Sequence, residues 1–133
     1  MSSIEDACVR QVVTDWAEAV SRADREGILS RHANDLLMYD FPSEVCGLDA
    51  YNRTWDFFFS EQVGPLTFAP SAMKATVGGP VAFVTCTMHC DGTTAGRFDF
   101  RLTVGLEKRD GEWTITHEHH SVRTTEDQYV DKS

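Results

Sequence analysis

Apolar residues in the first half of the chain recur at the three- and four-residue spacing of amphipathic helices. A long first helix with one apolar face is predicted over "SSIEDACVRQVVTDWAEAVSRAD", capped by Ser2 or Ser3. That face carries Ile4, Cys8, Val12, Trp16, Ala19, Val20 and Ala23. A shorter second helix is predicted over 24–33, and a third over "GLDAYNRTWDFFFSEQVG". Between them, "DLLMYDF" predicts a short strand that ends before Pro42.

After Pro65 the pattern changes to short apolar or alternating runs that are separated by turn residues. These runs predict strands at 66–69, 73–77, 81–90, 97–108 and 112–123. Helices that come first and strands that follow predict an α+β fold, with the helices packed on one face of an antiparallel sheet.

The turn Asp110-Gly111 is a strong hairpin signal and sets the expected orientation of the side chains that follow it. Pairing that proceeds outward from this turn places Val104 opposite His117 and Leu102 opposite His119. Because directly opposed residues share a face of the sheet, both imidazoles are predicted to point inward, among apolar side chains.

The other face of the same hairpin is predicted to be the outer surface of the sheet or a subunit interface. In this register it carries Glu118 and His120, and Arg101 lies diagonally from Glu118. An ion pair between Arg101 and Glu118 is therefore expected, as a structural contact on the outer face.

Composition narrows the classes of function. A chain of 133 residues suits one domain, predicted over 1–123, followed by a polar tail over 124–133. The net charge of −9 disfavours binding to nucleic acid or to an anionic membrane surface. No apolar run approaches the length of about 20 residues that a membrane span needs, and no signal peptide is visible. The expected location is cytoplasmic, with four reduced cysteines.

Three segments give the chain a resemblance to known proteins: "DWAEAVSRADREGILSRHANDLLMYDFP", "GLDAYNRTWDFFF" and "RLTVGLEKRDGEWTITHEHHSV". They resemble the SnoaL-like and ketosteroid-isomerase-like families of the nuclear-transport-factor-2-like (NTF2-like) superfamily. The resemblance implies a cone-shaped α+β fold in which a curved antiparallel sheet wraps the long N-terminal helix. It also implies a pocket at the wide end of the cone and a homodimer formed through the outer sheet face.

The resemblance implies a chemical role for only a few residues. "MYDFPSE" places Asp40 where ketosteroid isomerases have a general base, whereas Trp16 stands where they have the tyrosine that stabilises the enolate. No carboxylate stands near Arg101 or Leu102, where the isomerases have a second acidic residue, and Asp99 is out of phase. Steroid isomerisation is therefore disfavoured.

The predicted catalytic residues are Asp40, His117 and His119. The predicted ligand-binding residues are aromatic: Trp16, Tyr39, Trp55, Phe58, Phe59 and Phe100. Each has a plainer interpretation. An aspartate at a strand end often caps a turn, inward histidines often form hydrogen-bonded structural pairs, and large aromatic residues are often simple core.

Two hypotheses about function follow, and neither requires a cofactor or a metal. The first is an acid/base enzyme of the isomerase, cyclase or dehydratase type that acts on a small apolar carbonyl compound. The alternative is a non-catalytic dimeric module for ligand binding or assembly. A metal site at His117 and His119 is a weaker third hypothesis, because two ligands do not complete a site.

Overall fold

The computed structural model describes residues 3–123, so the predicted tail over 124–133 lies outside the described residues. Within these residues, three helices and six strands follow one another. They are α1 (Ser3–Ser21), α2 (Arg25–Leu29), β1 (His32–Tyr39), β2 (Glu44–Cys46), α3 (Leu48–Ser60), β3 (Gln62–Gly78), β4 (Val81–Thr93), β5 (Phe98–Arg109) and β6 (Glu112–Ser121). None of the helices within this range combines the length and the apolarity that crossing a membrane requires.

All six strands form one open, curved sheet in the order β2-β1-β6-β5-β4-β3. Neighbouring strands are antiparallel except β1 and β6, which are parallel. The helix α1 buries a face that includes Val9, Val13, Trp16 and Val20, and it joins the side chains of the inner sheet face in one core. The predicted α+β fold, with a curved sheet around the N-terminal helix, is confirmed.

Several element boundaries differ from the prediction; the third helix, for example, ends at Ser60, and Gln62 already begins β3. Asp24 caps α2 by accepting a hydrogen bond from the Gly27 backbone N–H at 3.1 Å, but the helix ends at Leu29. His32, predicted to lie on this helix, is instead the buried first residue of β1. In the second half, the strands predicted at 66–69 and 73–77 form one long strand, β3, that contains register shifts.

A β-bulge in β6 changes the faces of the functional segment. The hairpin begins as predicted, with Arg109 opposite Glu112 and Leu106 opposite Ile115. The next pair joins Gly105 to His117, so Thr116 is an extra residue on β6.

This shift reverses the alternation of side chains beyond Thr116. Glu118 now lies opposite Val104 and His120 opposite Leu102, on the inner face, while His117 and His119 lie on the outer face. The predicted inward orientation of His117 and His119 was wrong, because a side-chain period of two makes a one-residue shift exchange the faces.

The predicted ion pair between Arg101 and Glu118 was also wrong. Glu118 is fully buried on the inner face, whereas Arg101 is exposed on the outer face and donates from Nε to Ser121 Oγ at 3.2 Å.

Candidate active site

A cavity of about 430 Å³ lies between α3 and the inner face of the sheet. Its walls are mainly aromatic and aliphatic. They include Met38, Trp55, Phe58, Phe68, Phe98 and Phe100. Asp40 and His120 also line it and lie 3.7 Å apart, and Glu61 belongs to the lining as well. Such a combination of apolar walls with a few polar groups is typical of a pocket for a small molecule.

The His120 ring lies between the aromatic wall of the cavity and the carboxylates of Glu118 and Asp40. Its ring stacks on Phe100, with centroids 4.7 Å apart and planes inclined by 17°. Nε2 lies 2.8 Å from Glu118 Oε1, and Nδ1 lies 3.7 Å from Asp40 Oδ1. Because a carboxylate only accepts hydrogen bonds, Nε2 carries the proton and donates a hydrogen bond to Glu118. In the neutral ring, Nδ1 is therefore the basic nitrogen.

Glu118 is the centre of a buried hydrogen-bond network. Its Oε2 lies 2.6 Å from His32 Nε2 and accepts a hydrogen bond from the Tyr51 hydroxyl at 2.6 Å. The Tyr51 oxygen in turn accepts from Trp16 Nε1 at 3.1 Å. This network connects α1, α3, β1 and β6 beneath the cavity and fixes the carboxylate from both sides.

The pKa of Glu118 reflects two opposed effects. Burial alone raises it, but the hydrogen bonds that His120 and His32 donate to the carboxylate outweigh burial and lower the pKa to about 2. Burial first, and then the neighbouring Glu118 charge, raise the pKa of Tyr51 well above its ordinary value. Tyr51 therefore stays a phenol that donates to an ionised Glu118.

His32 supports this carboxylate in one defined tautomer. Its side chain is fully buried, and its Nδ1 has no hydrogen-bond partner among the described residues. A proton on that nitrogen would leave a buried N–H unpaired, which costs about 1–3 kcal/mol. The neutral ring with its proton on Nε2, donated to Glu118, avoids this cost.

Asp40 follows directly after β1 and has two roles in the structure. Its Oδ1 accepts a hydrogen bond from the Phe41 backbone N–H at 2.8 Å, as expected for an aspartate that caps a turn. The same carboxylate lines the cavity and faces His120. The plain and the functional interpretations of Asp40 are thus compatible.

The predicted ligand-binding residues divide into two groups. Trp55, Phe58 and Phe100 line the cavity. Trp16, Tyr39 and Phe59 do not belong to its lining. Trp16 is buried in the core and already donates its N–H to Tyr51, so it cannot replace the isomerase tyrosine at the cavity wall.

On the outer face, the predicted catalytic histidines contact Tyr39 rather than the cavity. The Tyr39 ring lies 5.2 Å from that of His117 and 5.4 Å from that of His119. His117 Nδ1 also lies 2.8 Å from the Leu37 carbonyl oxygen. No group of three or more histidine, cysteine, aspartate or glutamate side chains within 3–123 is arranged to hold a metal ion.

The sequence prediction did not assign four residues to this network: His120 and Glu118, which it placed on the outer face, and His32 and Tyr51. The available signal was the alternation "HEHH" itself, which offers one face with two imidazoles or one with a carboxylate and an imidazole. A buried carboxylate requires several donors, and His32 and Tyr51 on other elements could supply them.

Comparison with known proteins agrees with this architecture. The family model described as a SnoaL-like domain matches residues 9–125. The chain belongs to the SnoaL-like domain family. No curated protein matches this SnoaL-like chain in sequence.

Solved structures place the SnoaL-like chain in the NTF2-like fold. An NTF2-like protein of unknown function from Pseudomonas putida KT2440 is 25% identical, with a TM-score of 0.86 over 96% of this chain and 93% of that one. A proposed ketosteroid isomerase from Shewanella frigidimarina is 24% identical, with a TM-score of 0.72 over 84% and 92% of the two chains. A proposed dehydratase from Streptomyces avermitilis is 16% identical, with a TM-score of 0.78 over 92% and 98%. The last two likenesses show the fold alone.

Proposed function

We propose that this SnoaL-like protein is a cofactor-independent acid/base enzyme that moves protons on a small apolar carbonyl compound. The reaction type is that of an isomerase, cyclase or dehydratase. The observation that carries the proposal is the placement of Asp40 and His120 at 3.7 Å from one another in an apolar cavity. A carboxylate and an imidazole at one substrate-sized cavity can remove a proton at one atom and return it at another.

The two groups have different parts in this proposal. Asp40 removes the proton next to the carbonyl group, as the resemblance to ketosteroid isomerases implies. In its imidazolium form, His120 donates the proton on Nδ1 to the carbonyl oxygen or to a departing hydroxyl, and the neutral ring takes a proton back at Nδ1 when the carbonyl group forms again. Glu118 holds His120 at Nε2 and stabilises the imidazolium that forms when the ring takes up a proton. His117 and His119 have no part in it, because they lie on the opposite face of the sheet.

The cavity favours an uncharged substrate. The acidic side chains in its wall are Asp40 and Glu61, and the described lining contains no lysine or arginine. A carboxylate or phosphate group would meet repulsion there without a cation to balance it. We therefore propose a neutral, largely apolar ketone or hydroxyketone as the substrate class.

Proton exchange at carbon tests this function even when the product is unidentified. Neutral cyclic ketones and hydroxyketones are incubated with the protein in D₂O, and exchange at the carbon next to the carbonyl is followed by NMR. We expect saturable exchange or turnover with at least one compound, lowered by about 100-fold or more in Asp40→Asn. Asp35→Asn is the matched control, since Asp35 lies exposed on β1, the strand that precedes Asp40, and pairs with Arg109.

Two outcomes would contradict the enzyme proposal. Exchange that is equal in Asp40→Asn and in the wild type would remove Asp40 from the reaction. Saturable binding of ketones with no exchange or turnover of any bound compound would favour the alternative, a non-catalytic binding module.

We also propose that the protein forms a homodimer through the outer sheet face. Phe83 and Tyr39 on this face are 47% and 38% exposed, and Gly105 lies between Phe83 and His117 in one row of the sheet. Phe83→Glu should convert a dimer to a monomer in light scattering after size-exclusion chromatography. Val63→Glu, at an exposed position near the start of β3, should not. A monomeric wild type would exclude this proposal.

A further inference from the structure

Ser71, His89 and Asp99 form a hydrogen-bonded row across the neighbouring strands β3, β4 and β5. Ser71 Oγ lies 2.7 Å from His89 Nε2, and His89 Nδ1 lies 2.8 Å from Asp99 Oδ1. A ring that donates its Nδ1 proton to the carboxylate has Nε2 free to accept the hydroxyl proton of Ser71. The order of groups is a nucleophile, a base and a carboxylate that orients the base, as in serine hydrolases.

This row is separate from the cavity. His89 and Asp99 are directly opposed in the β4–β5 ladder, and the neighbours of His89 along β4, Met88 and Cys90, are buried on the inner face. The row therefore lies on the outer face, six positions along β4 from Phe83, or about 20 Å by the rise of a strand. It is separate from the surface around Phe83 that is proposed to form the dimer, and none of its three residues lines the cavity that holds Asp40 and His120. The acid/base function proposed for that cavity leaves the row without a role.

The backbone beside Ser71 is irregular. Ser71 pairs with Thr87, but the next pair joins Lys74 to Thr85, so that Ala72 and Met73 share one position opposite β4. Ala72 has a φ of 54°, a conformation that is unfavourable for an alanine. Such bulges redirect side chains and are common next to active sites, where local strain is tolerated for function.

A contact with α1 holds this bulge in place. Arg10 Nη1 donates to the Met73 carbonyl oxygen at 3.0 Å, and Arg10 Nε also pairs with Asp6 at 2.6 Å. The segment that carries Ser71 is thus tied to the longest helix. A hydroxyl on a fixed segment can keep its alignment with a base while it reacts.

We propose that Ser71, His89 and Asp99 form a second reactive site, which takes acyl groups from activated carboxylic esters. Ser71 Oγ forms a bond to the carbonyl carbon while its proton moves to His89 Nε2. The bond from that carbon to the ester oxygen then breaks, and His89 gives the proton to the leaving oxygen. Water releases the acyl group as an acid in the reverse sequence, which restores the Ser71 hydroxyl.

The exposure of the site limits its substrates. The side chains of His89 and Asp99 are 44% and 56% exposed, so water screens the charges that develop during the reaction. Esters with good leaving groups, such as aryl acetates, need the least stabilisation and are the expected class. Peptide bonds, which have a poor leaving group, are not expected to react.

Acylation by p-nitrophenyl acetate tests this second site. Nitrophenol release is followed by absorbance, and the acetylated residue is located by peptide mass spectrometry after a short reaction. We expect acetyl-Ser71 in the wild type and none in Ser71→Ala. His89→Gln should slow the acylation by about 100-fold, because the base is lost. Asp99→Asn should slow it less, since water also solvates the ring.

Matched variants separate this site from ordinary surface reactivity. His119→Gln removes an exposed imidazole of the same outer face, and Ser121→Ala removes a hydroxyl that contacts Arg101 instead of an imidazole. Neither should change the acetylation of Ser71. Thermal melts of all variants confirm that they fold. No acetyl-Ser71 in the wild type, or equal acylation of Ser71 in His89→Gln, would overturn the proposal whatever the cavity does with ketones.

Discussion

Replacement of Glu118 by alanine is expected to lower the free energy of unfolding by about 3–5 kcal/mol, the range for breaking a buried ionic network by removal of one partner. The carboxylate accepts hydrogen bonds from His32, Tyr51 and His120, and it is fully buried. Its loss leaves those buried donors without an acceptor and opens a cavity in the core. Urea denaturation followed by fluorescence of the tryptophans measures the change.

The control for this substitution is Glu107→Ala. Glu107 pairs with Arg109 on β5, but both side chains are about half exposed, so the expected loss is below about 1 kcal/mol. Similar losses in the two variants would mean that the network around Glu118 contributes no more than a surface ion pair.

The stability difference between the wild type and Glu118→Ala should also depend on pH. The pKa of Glu118 is lowered from 4.5 to about 2 in the folded protein, so its charge contributes stability that is complete above pH 4.5. This contribution is lost as the pH falls from 4.5 towards 2. The free energies of unfolding of the two proteins, plotted against pH, should therefore approach one another over that interval. A difference that stays constant with pH would contradict a lowered pKa.

Replacement of Glu118 by glutamine is expected to lower the turnover of the substrate by about 100-fold or more while the chain still folds. A glutamine carbonyl can accept from His32 and Tyr51, but its amide group then donates towards His120 Nε2. His120 must move its proton from Nε2 to Nδ1 to accept that hydrogen bond. The nitrogen that faces Asp40 is then no longer basic, and loss of the correct tautomer is known to reduce catalysis by imidazole strongly.

A spectroscopic measurement separates this positioning role from a general loss of structure. The ¹⁵N chemical shifts of the His120 ring should show a proton on Nε2 in the wild type and on Nδ1 in Glu118→Gln. His119, on the outer face, provides an internal reference that should not change. An unchanged His120 tautomer together with full activity would remove Glu118 from the mechanism.

The sequence was sufficient for the architecture because the fold depends on periodic patterns. The apolar spacing of α1 and the Asp110-Gly111 turn are local signals, and both elements form where they were predicted. The end of α2 was not predictable in this way. His32 instead begins β1 and pairs with Glu118. Because Glu118 lies 86 positions away in the sequence, no local pattern indicates this contact.

The candidate site was harder to predict than the fold for a related reason. Its residues were assigned to faces by strict alternation from the turn, and that rule holds only as far as Ile115. At the bulge that follows, Gly105 allows His117 to approach closely, since an added Cβ there would lie 3.3 Å from that of His117. Nothing in the local pattern of β6 distinguishes this arrangement from a regular strand.

Because Thr116 is an extra residue on β6, the strand can be one residue shorter there without a change in the face that Glu118 occupies. Removal of Thr116 would let Ile115 and His117 follow one another in a regular ladder against Leu106 and Gly105, with Glu118 still facing inward. Relatives with one residue fewer between the hairpin and the buried carboxylate could therefore keep the same chemistry. Their sequences should be aligned on that carboxylate, with the gap placed at the bulge.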